Sequence, residues 1–239
     1  MENTIRIFIG TEPMQWLPTQ VLKYSVTKRT KEKVEFKDLQ NIPLNLKTKM
    51  YTGFSFYRFS IPEACGYQGR AIYLDADMVC LGDIQELFSM DLKGKNAIAK
   101  QMDDKRFFTS CMLLDCEHLK HWKIHEWVTL INAGLTSYQG TMCGAPDGMN
   151  HDDFGVLPPI WNDFDHYDDT TKIIHYTHVP TQPWKKPGHP FRGAFLEELN
   201  ECLEKGILTR EQVQNEVDQK HIYPTLLKDM EDYITSHKK

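Results

Sequence analysis

Hydrophobic and polar positions change their spacing several times along the chain, and each change marks an element. Ile5-Arg6-Ile7-Phe8-Ile9 alternates and halts at Gly10, the pattern of a strand running into a loop. Val21, Leu22 and Val26 give residues 18–28 a helical character, and a short strand is expected over 34–39. Residues 54–64 read as a second helix, interrupted late by Pro62. Gly66 and Gly69 break the chain just before the apolar run Ala71-Ile72-Tyr73-Leu74, a strand. A short helix through Phe88 and strands over 96–99 and 111–114 come next. Ile124, Trp127, Val128 and Ile131 form one stripe of a helix expected over 116–132, with Gly134 as its stop.

Residues 140–169 are rich in Gly, Pro, Asp and aromatics and are expected to be a long functional loop. A last strand is expected over 173–176, and beyond Phe191 the chain becomes charged and helical. Thr209-Arg210-Glu211-Gln212 has the capping-box pattern that opens a helix. Strands alternating with helices predict an α/β fold, a mainly parallel central sheet flanked by helices. The expected organisation is one domain over residues 1–192 and a helical appendage over 193–239 packed on it.

Composition narrows the chemistry. A chain of 239 residues with 41% hydrophobic and 26% charged positions can bury one sizeable core. A net charge of −5 argues against a nucleic-acid partner. The six cysteines lack CxxC pairs and zinc-ribbon spacing, which suits a reducing compartment. No signal-peptide pattern opens the sequence and no apolar run reaches membrane-spanning length. The expectation is a cytoplasmic protein without a transmembrane segment.

The most informative stretch is Tyr73-Leu74-Asp75-Ala76-Asp77, where an apolar strand delivers two carboxylates at its end. Open α/β sheets bind ligands outside the carboxyl ends of their strands. Two carboxylates there suit a hard divalent cation that keeps positions open for phosphate oxygens. The same triplet also fits a haloacid-dehalogenase-type magnesium phosphatase with Asp75 as nucleophile and His151-Asp152-Asp153 as a distal acidic group. By itself the triplet fits a turn cap before Gly82 as well.

The flanks separate these readings. Phe56-Tyr57-Arg58-Phe59, Pro62, Tyr73-Leu74-Asp75-Ala76-Asp77 and Asp83-Ile84-Gln85-Glu86-Leu87 stand in the order of a known pattern. So do Ser110-Cys111-Met112-Leu113-Leu114-Asp115, Asp152-Asp153 with Leu157-Pro158-Pro159-Ile160-Trp161-Asn162, and His175-Tyr176-Thr177 with Pro183-Trp184. Over residues 5–185 the chain resembles glycosyltransferase family 8, the group of glycogenin and bacterial lipopolysaccharide sugar transferases. The resemblance implies a GT-A fold and transfer of a hexose from a nucleotide-sugar, UDP-linked, with retention at the anomeric carbon. It implies manganese or magnesium as cofactor, and a glycan, lipid or small-molecule hydroxyl as acceptor. An inactive nucleotide-sugar binder is the other reading, because the closing motif has one extra residue, with His178 for Gly and Gln182 for the usual Lys.

Carried over residue by residue, the resemblance makes Asp75, Asp77 and His175 the metal ligands. Gly10, Thr11, Glu12, Arg58, Asp75, Ala76 and Asp77 become nucleotide-sugar contacts, with Glu12 where the family often has Asp. Asp152 or Asp153 would hold the donor sugar or stabilise charge at the anomeric carbon, with Arg58 behind the carboxylates or on the donor. Lys185 and Lys186 would supply the charge missing at Gln182. His118, His121 and His125 share one edge of the expected helix, read as a half-exposed face.

Overall fold

The computed structural model describes residues 4–237. The strands in chain order are β1 (Ile5–Gly10), β2 (Val34–Leu39), β3 (Arg70–Asp75), β4 (Met78–Cys80), β5 (Ala97–Asp103), β6 (Arg106–Asp115), β7 (Phe154–Leu157), β8 (Asp163–Phe164) and β9 (Ile173–His175). The helices are α1 (Trp16–Thr27), α2 (Ile61–Ala64), α3 (Ile84–Phe88), α4 (Ile124–Asn132), α5 (Tyr138–Met142), α6 (Arg192–Glu204), α7 (Arg210–Asp218) and α8 (Leu226–His237). Contacts divide the chain into two compact units that share it in alternating segments. Unit 1 takes the segment ending at Glu12, Lys31–Asp75 and Ile84–Asn162; unit 2 takes Pro13–Thr30, Ala76–Asp83 and the chain from Asp163 onward.

Unit 1 is built on a six-stranded sheet in the order β2-β1-β3-β6-β5-β7. Five strands run one way, and β6 alone opposes its neighbours β3 and β5. The register sets both edges. Gly10 lies opposite Leu39 and Asp75, so β1, β2 and β3 end together at the carboxyl edge. Ala71, Leu114, Ala97 and Phe154 are level with one another near the opposite edge. Small residues on one face (Ala71, Ala97 and Ala99) leave room for Phe56, Phe59, Trp122 and Trp127, which fill one core with Tyr73, Met112 and Leu114.

Unit 2 holds a three-stranded sheet, β4-β9-β8, with β4 antiparallel and β8 parallel to β9. Its core joins Leu17 and Val21 of α1 to Val79, Ile174, Tyr176 and Trp184, and to Leu199, Val213 and Leu226 of the last three helices. Those helices therefore share a core with α1 and β4, and the contacts do not divide at residue 192. The capping box at Thr209 is present, with the Gln212 side chain returning to the Thr209 N–H.

Three local readings change. Residues 55–60 form a 3-10 turn that continues into α2 (Ile61–Ala64), with Pro62 in the first turn, where its missing N–H costs little. The helix expected over 116–132 is instead a Cys116–His118 turn capped by Asp115 and a separate α4. The long loop contains β7, whose edge position and Gly155 obscure the strand pattern, and the short α5.

Candidate functional site

At the carboxyl edge of unit 1 the end of β1 lies beside the end of β3, with the Tyr73 and Phe54 side chains close over Gly10. A Cβ on Gly10 would collide with the Tyr73 hydroxyl and come within 2.7 Å of the Phe54 ring, so only glycine fits. Thr11 is buried directly after it and Glu12 is half-buried.

Asp75 ends β3 and is held from behind. The Tyr73 hydroxyl, on the same face two residues earlier, donates to Asp75 Oδ1. Arg58 Nη2 reaches the same oxygen at 3.1 Å. The Arg58 guanidinium is 4% exposed and lies 4.5 Å from the Tyr73 ring centre. It also donates from Nε to Ser55 O at 2.8 Å and from Nη1 to Thr109 Oγ1 at 3.1 Å, while Thr109 donates to Met142 O at 2.7 Å. Of the two positions open to Arg58, the structure shows the one behind the carboxylate. The planar fork orients Asp75 at several points.

Asp77 is 9% exposed and is anchored at both ends. Its carbonyl accepts from Tyr176 N at 2.9 Å, continuing the pairing of Met78 with His175. Its Oδ2 accepts from Gln182 Nε2 at 2.9 Å, and the same amide donates to Tyr176 O at 2.9 Å. Its Oδ1 is buried and accepts no hydrogen bond, although His175 Nε2 lies 3.1 Å away. His175 ends β9 with its ring edge-on to Phe164, centroids 5.3 Å apart.

Asp75, Asp77 and His175 each offer a ligand atom, and these atoms lie within 4.8 Å of one another. A buried carboxylate oxygen without a hydrogen bond, facing an imidazole nitrogen, fits two lone pairs directed at one cation. Two oxygen donors and one nitrogen suit manganese or magnesium, with positions left for phosphate oxygens.

Other expected site residues lie elsewhere. Asp153 is 4% exposed and precedes Phe154, at the amino edge of β7. Its Oδ1 accepts from Asn96 at 2.7 Å, and its Oδ2 meets Trp122 Nε1 at 2.7 Å and His121 Nε2 at 2.8 Å. Asp152 is exposed, and its carbonyl accepts from Lys95 Nζ at 3.2 Å. Four residues of strand, about 13 Å, and three strand spacings, about 14 Å, part this edge from Asp75. Asp152 and Asp153 thus lie by the edge where parallel β7 and β3 both start, and Asp75 by the edge where β3 ends.

The lysine substitution for Gln182 also changes. Lys185 Nζ donates to His221 O at 2.8 Å, which ties it to the C-terminal helices, and Lys186 is exposed. Gln182 itself is turned onto Asp77. His118 pairs with Asp115 at 3.0 Å and His121 with Asp153, so these histidines serve separate carboxylates. Trp161 and Trp184 are core residues. Sequence reasoning passed over Tyr73 and Thr109; the i, i+2 spacing of Tyr73 and Asp75 on one strand was the available signal for the first.

The arrangement is that of a glycosyltransferase of GT-A fold. The chain belongs to glycosyl transferase family 8, whose model matches residues 10–129. Protein CDI of Arabidopsis thaliana is 28% identical over 210 residues, 74% of this chain and 78% of that one. Among solved structures, the bifunctional glycosyltransferase WbbM superposes with a TM-score of 0.63 at 12% identity, over 83% of this chain and 50% of that one. The glycosyltransferase GlyE of Streptococcus pneumoniae TIGR4 gives 0.60 at 17% identity, over 86% and 64%. This chain thus spans half of WbbM and less than two thirds of GlyE. The galactosyltransferase LgtC, solved with donor and acceptor sugar analogues, gives 0.61 at 14% identity, over 89% of this chain and all of LgtC. Family membership sets the phosphatase reading aside. Among the described residues no helix is long and apolar enough to cross a membrane.

Proposed function

We propose that the protein transfers a hexosyl group from a UDP-linked sugar to a hydroxyl acceptor, with retention at the anomeric carbon and with manganese or magnesium held by Asp75, Asp77 and His175. The observation that supports this reading best is the buried Asp77 Oδ1, which accepts no hydrogen bond beside His175 Nε2 and Asp75. A bound divalent cation would supply positive charge to a diphosphate as the glycosidic bond breaks.

The chain's own residues do the positioning. Tyr73 and Arg58 fix Asp75 Oδ1, and Gln182 fixes Asp77 Oδ2, so neither carboxylate must reorganise as charge develops. Gly10 keeps the end of β1 free of a side chain, and Thr11 and Glu12 follow where a nucleoside would lie against the carboxyl edge. Asp152 and Asp153 are not given a role.

A thermal-shift screen of nucleotide-sugars, with and without manganese, tests the reading. The right donor raises the melting temperature further when manganese is present, because ligand that binds only the folded state stabilises with the logarithm of its concentration over Kd. Donor hydrolysis without acceptor then separates an active transferase from an inactive binder. A metal-independent shift with UDP-sugars, or none with any nucleotide-sugar, would overturn the assignment.

A further inference from the structure

Two cavities, of about 430 and 260 Å³, open on unit 1 and have Arg106, Ala145 and Asp147 in common. Asp103 also lines the first, and Ser137 and Gln139 line the second. They lie past the carboxyl edge of the sheet. Leu74 of β3 is level with Cys111, so residues 106–110 of β6 project beyond the end of β3. The end of α5 is docked on this projecting stretch. Phe107 N donates to Cys143 O at 2.8 Å, and Thr109 Oγ1, which accepts from Arg58, donates to Met142 O. Two side chains, Arg58 and Thr109, thus link Asp75 to the helix that carries Gln139 and Gly140.

Asp147 is held in place through its backbone. Its carbonyl accepts from Ser137 N at 3.1 Å and from Thr136 Oγ1 at 2.9 Å. Among the described residues no donor is bonded to its carboxylate, which is directed over Gly140. A Cβ on Gly140 would stand 2.4 Å from Asp147 Oδ1, so a side chain there pushes the carboxylate aside. Asp103, by contrast, already accepts from Arg106 Nε at 2.7 Å and from Lys105 N at 3.0 Å.

Resting on the UDP-hexose reading above, we propose that Asp147 holds the hexosyl ring of the donor by accepting hydrogen bonds from its hydroxyls, seated for this by Gly140. An ionised carboxylate only accepts, and its two oxygens can take O–H donors from neighbouring ring carbons. Gln139 beside it can both donate and accept. Arg106 is paired with Asp103 at 2.6 Å, so Asp147 keeps its negative charge in the cavity, which repels a phosphate and favours a neutral polyhydroxyl ring. A carboxylate on the side of the sheet where Asp75 lies does what Asp152 and Asp153, near the opposite edge, are not placed to do. A site built to accept from a hydroxyl also rejects the analogue that lacks it, so Asp147 selects among hexoses.

Calorimetric titration of the full chain with UDP, UDP-glucose and UDP-galactose in manganese tests the proposal. Asp147→Ala binds UDP as the wild type does, and binds the preferred UDP-hexose about tenfold or more weakly. Gly140→Ala, which displaces the carboxylate without removing it, shifts binding in the same direction. Singly deoxygenated forms of that UDP-hexose give a readout that a merely structural role would not move. One or two of them bind the wild type about tenfold more weakly than the parent, yet bind Asp147→Ala as well as the parent does. Asp147 is exposed, so its variant decides even if Gly140→Ala does not fold. Unchanged UDP-hexose affinity in Asp147→Ala, or an equal loss for UDP and UDP-hexose, would overturn the proposal alone. A wild-type chain that binds UDP-hexoses and UDP not at all would overturn the donor reading, and the proposal with it.

Discussion

Gln182 donates its amide to Asp77 Oδ2 across 2.9 Å, although a cation was expected from the family pattern at this end of the chain. The side chain is 1% exposed, and its amide nitrogen donates to Asp77 and to Tyr176 O, both internal. Its place is on the Asp77 carboxylate. Gln182→Leu, similar in volume but without the amide, leaves two buried acceptors unsatisfied and lowers stability by about 1–3 kcal/mol. It also loosens Asp77 and weakens manganese binding by roughly 10–100-fold. Denaturant titration and manganese electron paramagnetic resonance read the two effects separately. Unchanged manganese affinity in a folded Gln182→Leu protein would remove Gln182 from the site.

Arg58 is the cation behind Asp75, and most of its worth lies in geometry. Arg58→Ala leaves the part-buried carboxylate without its partner and exposes Thr109 and Ser55 O to an empty space. The expected loss is about 3–5 kcal/mol, read as a lower urea midpoint at unchanged slope. Arg58→Lys keeps the charge but cannot span the three acceptors, so it recovers only part of the stability and leaves turnover reduced. A lysine variant with full activity would show that charge alone is required.

Asp152 and Asp153 provide the sharpest contrast with the sequence reading. Asp153→Ala strips partners from Asn96 and Trp122 in the core and lowers stability by about 3 kcal/mol, with turnover per folded molecule retained. Asp152→Ala, at an exposed side chain, changes stability by less than about 0.5 kcal/mol and leaves turnover as it was. Loss of turnover in either variant at wild-type stability would restore the catalytic assignment.

Acid stability has a named contributor in unit 2. Lys28, followed by the Tyr24 hydroxyl, holds the Glu201 carboxyl down to about 2 from an ordinary 4.5. A carboxyl with a lowered folded pKa stabilises fully above its unfolded pKa, and that stability is lost as pH falls from 4.5 toward about 2. The side chain is about a third exposed, so screening keeps the contribution small. Melting temperatures measured across that window should fall less steeply for Glu201→Gln than for wild type. Parallel curves would mean that other carboxylates govern the acid limb.

The strand-and-carboxylate core of the site was legible because it is local. An apolar run delivers Asp75 to a strand end, and the ordered motifs singled out His175. The alternating segments of the two units were not legible, because apolar positions in α1 and in α6–α8 do not reveal which of several faces they cover. The placement of Asp153 was hidden for a related reason. Its place in a motif said nothing about which end of β7 it occupies, and that end follows from pairing with β5, a tertiary fact. The role of Gln182 was hidden because an amide that satisfies a buried carboxylate looks, in sequence, like a lost charge.

The alternation of segments also imposes a timetable on synthesis. A ribosome releases the chain from the amino end, and domains generally fold as their residues emerge. Unit 1 has every segment it needs once Asn162 is out, so its sheet, with Gly10, Arg58 and Asp75, can set while translation continues. Unit 2 must wait: Leu17 and Val21 emerge early, but the helices that bury them come last. Asp77 meanwhile has neither His175 nor Gln182. Asp75 is thus set in its sheet well before Asp77 gains its partners, and α1 keeps an uncovered apolar face in the interval, the kind of surface a chaperone shields.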